Sequence, residues 1–121
     1  MTDYLPKYKP GAAVTMTTST DVTGQRLVEV TGSKTVGTAG ADAVDVVGVA
    51  GFDVLSGEKV TVFTRPTGVH QLVANGAIAA GAKVISATGG KVATIGAGAN
   101  PIGIALEAAA ADLDVIDVLF I

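Results

Sequence analysis

The chain has 121 residues and a formal net charge of −3, from eight basic and eleven acidic side chains. That is one ordinary domain, long enough to bury a core without covalent staples. It contains no cysteine, which excludes disulfides and thiolate metal sites. Its basic residues form no stripe, which argues against nucleic-acid binding, and no apolar run reaches the length of a membrane helix.

Residues 1–20 read as an extended N-terminal arm and linker, with the arm proper ending near residue 13. The segment Met1 to Pro6 has no basic region followed by an apolar one, so it is not a secretory signal. Pro6 and Pro10 hold the arm extended and deny it ladder donors. Tyr4, Leu5, Lys7, Tyr8 and Lys9 lie on the same segment, and tyrosine supplies much interface area with few rotors. These seven residues are the candidate binding site. The polar, β-branched run Thr15 to Thr20 reads as a weak strand or linker.

Strand-like runs follow at 26–31, 44–50, 59–65, 71–74, 83–87, 91–95, 102–105 and 115–121. Each is short, β-branched and bounded by Gly, Asn, Asp or Pro. The 16 glycines interrupt the chain too often for long helices. Apolar residues make up 49% of the chain, but they are mostly Ala and Val, with three Phe and no Trp. A core of such small side chains requires close backbone approach, which suits sheets and tight turns.

An internal repeat organises these runs. Residues 24–34 (GQRLVEVTGSK) match 81–91 (GAKVISATGGK) without a gap, pairing Gly24 with Gly81, Gly32 with Gly89 and Lys34 with Lys91. Further on, Val47-Gly48-Val49-Ala50 matches Ile102-Gly103-Ile104-Ala105, and 58–63 matches 114–119 after one inserted residue. Repeats take precedence over local propensity, so the four alanines 108–111 read as loop, opposite the loop 51–57. The expectation is an all-β, Gly-rich small barrel or sandwich with internal two-fold duplication over residues 21–121. The half-repeats run from about 21 to 76 and from 77 to 121, preceded by the arm. Gly32 and Gly89 are expected in hairpin turns, and Gly48 and Gly103 at bulges or close backbone crossings.

Chemistry-bearing motifs are sparse. His70 is the single histidine and reads as a strand-edge residue rather than a general base. Gly96-Ala97-Gly98-Ala99-Asn100-Pro101 lacks the third glycine and the following helix of a dinucleotide-binding loop, so it reads as a turn. Asp42, Asp45, Asp112, Asp114 and Asp117 lack the regular spacing of a calcium loop and read as marking loop ends and the solvent face of a strand. No catalytic residue, metal or cofactor is expected. Lys34 and Lys91 in equivalent turns keep open a non-catalytic carrier or ligand-binding β-domain of biotinyl or lipoyl architecture. Such domains present one lysine within an acidic or Met-containing tip, and neither turn here has that character.

The arm leading to Pro10-Gly11, the Val-Gly-Val-Ala step and the closing Pro101-Ile-Gly-Ile-Ala-Leu-Glu-Ala-Ala-Ala110 resemble the capsid decoration proteins of tailed bacteriophages, also called cement or head-stabilisation proteins. The resemblance runs over most of the chain. It implies a structural protein, not an enzyme, synthesised in the host cytoplasm and placed on the outer capsid surface of the virion. It further implies binding to the expanded head, bridging of major capsid protein subunits, and association with copies of itself as a homotrimer. The arm, Tyr4 to Val14, is the segment such proteins commonly direct at the capsid.

Overall fold

The computed structural model describes residues 13–65 and 68–121; the candidate arm residues Tyr4 to Pro10 lie outside the described part. Ten strands make up nearly all of its regular structure. The first five are β1 (Ala13–Thr18), β2 (Leu27–Gly32), β3 (Thr35–Thr38), β4 (Val46–Ala50) and β5 (Lys59–Thr64). The second five are β6 (Val69–Val73), β7 (Lys83–Ala87), β8 (Lys91–Thr94), β9 (Gly103–Ala105) and β10 (Val115–Phe120). One 3-10 turn, Thr88–Gly90, joins β7 to β8. Among the described residues no helix is long and apolar enough to cross a membrane.

The all-β expectation holds. Strands β1-β3-β2-β4-β5 close into a barrel, and β6-β10-β9-β7-β8 form a second five-stranded sheet. The first closes because β1 runs antiparallel to β5, from Ala13 opposite Phe63 to Thr17 opposite Lys59, and parallel to β3. In the second, β6 pairs antiparallel with β10, and its end meets β8 at a single parallel bridge, Ala74 to Val92. Exchanging β1 to β5 for β6 to β10 therefore converts one strand order into the other.

Residues 13–18, assigned to arm and linker from their polar sequence, are the strand that closes the first barrel. Val14 and Met16 are half-buried along β1, and Thr18 is buried. Thr18 tolerates burial because its hydroxyl donates to the carbonyls of Leu55 (3.1 Å) and Glu58 (2.8 Å). Strand pairing thus groups β1 with the first unit and β6 with the second, whereas the sequence-based halves, 21–76 and 77–121, divide them otherwise.

The repeat is also shifted by one residue in its first stretch. The Ala39 N–H donates to the Leu27 carbonyl (3.0 Å), and the Ile95 N–H to that of Lys83 (2.9 Å). Leu27 therefore corresponds to Lys83, not to Val84. By the same register Lys34 corresponds to Gly90 and Lys91 to Thr35, so the two lysines are not equivalent. Strand pairing decides: Val28 lies opposite Thr38 as Val84 lies opposite Thr94, and a slip of one residue turns every side chain to the opposite face.

In the later stretch the sequence match is in register. Val49 lies opposite Phe63, and Ile104 opposite Leu119. Gly48 and Gly103 occupy the expected close crossings. A Cβ at Gly48 would overlap the Phe63 carbonyl oxygen, and one at Gly103 would lie 2.5 Å from that of Leu119. In the turns, the positive φ of the first falls on Lys34 (49°) rather than Gly32, and that of the second on Gly89 and Gly90 (76° and 73°).

The apolar residues separate into two clusters. Val22, Val28, Val36, Ala50, Val60 and Val62 fill the first barrel. The larger cluster fills the second sheet with Leu72, Val84, Ile116 and Phe120, and it extends onto the outer face of the first barrel through Leu27, Ala39, Val46 and Val49. The two units are thus joined by a shared core.

Candidate functional site

The seam between the two units is the most elaborately built part of the molecule. The loop after β3 lies against the end of β7, where Ser86 is fully buried. Its hydroxyl donates to the Gly40 carbonyl (2.7 Å) and accepts from the Ala43 N–H (2.9 Å). The Asp42 N–H donates to the Ser86 carbonyl (2.8 Å). The turn 88–90 meets the start of β2: Arg26 Nη1 donates to the Gly89 carbonyl (2.9 Å), and the Gly90 N–H donates to that of Ala39 (3.0 Å). Arg65 spans the other side, donating from Nη1 to the Val46 carbonyl (3.0 Å) and from Nη2 to that of Ile121 (3.1 Å). Its Nε is buried without a partner, and burial lowers the guanidinium's basicity.

The glycine-rich loop 96–101 does bind an anion, but the anion is the chain's own. The Asp42 carboxylate accepts from the N–H groups of Ala99 (3.1 Å) and Asn100 (3.0 Å), and Asn100 Nδ2 donates back to the Asp42 carbonyl (3.1 Å). Successive backbone N–H groups make an anion-binding concavity without a helix. Here the concavity fastens the first unit to the second.

Four other aspartates accept from backbone N–H groups of loops. Asp112 accepts from the Gly76 N–H (3.2 Å) and Asp114 from those of Ala110 and Ala111 (2.9 and 3.1 Å). Asp21 accepts from Ser56 (2.8 Å) and Asp53 from Gly24 (2.7 Å). Among the described residues no group of three or more metal-ligating side chains converges.

His70 is half-buried on β6, its ring 4.9 Å from that of Phe120 and 6.5 Å from that of Phe63. Burial lowers its basicity. It packs at the seam against these two rings. The cleft beside it, lined by Gln25, Val49, Phe63, Val69 and Gln71 among others, encloses 230 Å³. A second cleft at Asp21, Asp53 and Glu58 encloses 280 Å³. Both fall below the ~300–1,000 Å³ usual for small-molecule sites.

The lysines do not form the paired tips of a carrier domain. Lys34 sits at its turn's positive-φ position, while Lys91 begins β8 and lies 3.8 Å from the Asp112 carboxylate.

One titrating element stands out. Burial raises the Glu29 carboxyl above its ordinary range, as do a hydrogen bond and charge repulsion from Asp45, against an opposing bond from Gly40. A raised carboxyl pKa means the folded state holds the proton more tightly than the unfolded one. This contribution is therefore greatest below the unfolded pKa and is lost as pH rises through the folded value. Glu29→Gln is expected to raise the melting temperature at neutral pH. The gain over wild type should shrink as pH falls through the carboxylate range, and paired thermal scans across that range check it.

The model of a family described as phage cement protein matches residues 8–120. Among solved structures, the chain is similar to the head fiber gp8.5 N base of bacteriophage phi29, with a TM-score of 0.75 at 19% identity, covering 91% of this chain and 93% of that one. No curated protein matches. The structural likeness carries the fold; the family match, which spans both units and the seam between them, carries the assignment, and the chain belongs to the phage cement protein family.

Proposed function

We propose that this chain is a non-enzymatic structural virion protein that binds the outer surface of the expanded phage capsid. It bridges major capsid protein subunits there, acts as a homotrimer, and is anchored by the segment Tyr4 to Pro10. The observation that carries this reading is the family match over residues 8–120.

Physical arguments support the finer points. A ligand that binds only the expanded lattice stabilises it by mass action, and several arms on one oligomer turn weak contacts into avidity. The barrel gives such an arm a rigid root, because β1 is hydrogen-bonded to β5 from Ala13 onward. Twelve residues before Ala13 span at most about 40 Å. The first barrel leaves no open edge, so a strand that the first unit adds to a capsid sheet comes from the arm and not from the barrel.

Co-sedimentation with expanded capsids lacking the protein tests the proposal, comparing the full chain with a deletion of residues 1–12. Saturable binding that the deletion abolishes is the expected result. Binding that survives deletion moves the anchor to the barrels, and absence of binding by the full chain overturns the capsid role.

A further inference from the structure

The anchoring arm joins the fold at Ala13, the start of β1, and its length limits where the folded body can stand. Only Gly11 and Ala12 separate Pro10 from Ala13, a reach of at most about 11 Å. A capsid surface held by Tyr4 to Pro10 therefore lies close to the end of the first barrel at which β1 begins. The outer surface changes character toward that end. Outward positions of β1 and β5 pair Thr17 with Lys59, then Thr15 with Thr61, and finally Ala13 with Phe63. Polar side chains thus face solvent until the root of the arm, where Phe63 stands 43% exposed.

The Phe63 ring is held in place by backbone: a Cβ at Gly51 would come within 3.0 Å of it. A rigid, exposed aromatic side chain is the kind that carries binding energy at interfaces. The second unit brings apolar surface to the same place. Val69 and Leu119 lie opposite each other on β6 and β10, both exposed. The 230 Å³ cleft is lined by Phe63 from the first unit and Val69 from the second, with the exposed Gln25 and Gln71 beside them. A cleft below the size of a small-molecule site still takes a single side chain, and such pockets are where interface anchors seat.

We infer that the folded body makes its own contact with the major capsid protein through Phe63, Val69 and Leu119, the cleft between Phe63 and Val69 receiving one apolar side chain of that partner. The inference rests on the reading that Tyr4 to Pro10 anchors the chain to the capsid, and it adds a second point of contact. The arm fixes the distance to the capsid but not to a second copy, which is why the capsid is the occupant. Once the arm is bound, docking of the body is intramolecular, at the high effective concentration of a short tether. A small patch then suffices, and it adds affinity to the full chain while remaining too weak to hold the body alone.

Co-sedimentation of the full-length protein with expanded capsids lacking it tests this with three variants: Phe63→Ser, Val69→Asp and, as control, Val115→Asp. Val115 is 48% exposed at the opposite end of β10 from Leu119. Phe63→Ser and Val69→Asp should each weaken capsid binding about tenfold or more, with unchanged far-UV circular dichroism spectra, and Val115→Asp should bind as wild type does. A photoreactive phenylalanine analogue at position 63 keeps the ring, and it should cross-link to the major capsid protein. That cross-link decides alone if either substitution disturbs the fold. Cross-linking to another copy of this chain overturns the inference, as does loss of the wild-type oligomer in either variant by sedimentation equilibrium, because the surface is then a contact between copies. Wild-type affinity in both folded variants overturns it as well, and leaves the capsid role standing on the arm. Absence of binding by wild type removes the capsid role and this contact together.

Discussion

Truncating Leu27 to alanine is expected to cost about 2–5 kcal/mol, the range for removing a fully buried leucine whose surroundings cannot collapse into the space. Leu27 is 0% exposed and belongs to the cluster that contains Leu72 and Phe120 of the second unit. Its backbone is held as well, because the turn at Gly90 lies against it and a Cβ there would come within 2.7 Å of the Leu27 carbonyl oxygen. The loss should appear in denaturant unfolding as a lower midpoint with an unchanged slope, in a single transition. Leu55→Ala, at a site 65% exposed, should stay within about 0.5 kcal/mol of wild type. If wild type unfolds in two steps and Leu27→Ala moves only one, the seam is not a shared core.

The second large effect is expected at the paired crossings. Alanine at Gly48 or Gly103 forces a methyl group against a carbonyl oxygen of the neighbouring strand. These oxygens belong to Phe63 and Leu119, within strands held by the pairings of Gly48 with Thr64 and Gly103 with Phe120. Neither can step aside without breaking the ladder, so each substitution is expected to cost about 1–3 kcal/mol, with Gly48 the more severe. Gly40→Ala is the internal standard, since a Cβ there meets no atom within 4 Å; it should leave stability within about 0.5 kcal/mol. Thermal unfolding reads the difference directly, and equal losses at Gly40 and Gly48 would show that the cost is not steric.

Much of this architecture is written plainly in the sequence. The strand runs after residue 26 correspond to strands of the fold, and Gly48 and Gly103 mark close crossings because only glycine fits beneath a neighbouring carbonyl. Two strands were less plain, β1 being legible only as a weak strand or linker over 15–20. β1 carries Thr15, Thr17 and Thr18 where an amphipathic strand shows more apolar residues, and β3 (Thr35–Thr38) is too short to stand out from its turn. The repeat was legible, but its register was not: the best identity between 24–34 and 81–91 lies one residue out, and only the hydrogen-bonded strand pairing sets it right.

The seam was invisible for a different reason. Leu27 and Val28 are adjacent and equally apolar, yet they serve different clusters, and nothing local tells an outward leucine covered by another unit from an inward one. Asp42 and Ser86 likewise read as ordinary loop and strand residues until the fold brings the Asp42 carboxylate to the N–H groups of Ala99 and Asn100. The arm residues Tyr4 to Pro10 lie outside the described part, so their role rests on the proposal above.

The grouping of strands by unit has a consequence for biosynthesis. All partners of β1 to β5 lie within residues 13–64, so the first barrel can close once Thr64 has left the ribosome. Its outer face, with Leu27 and Val49, then stays bare until the following 57 residues arrive, roughly 3–11 s at ordinary elongation rates. During that interval the nascent chain displays the patch that the finished protein conceals. Slow codons placed after residue 64 should therefore lower soluble yield, whereas the same codons before residue 13 should not.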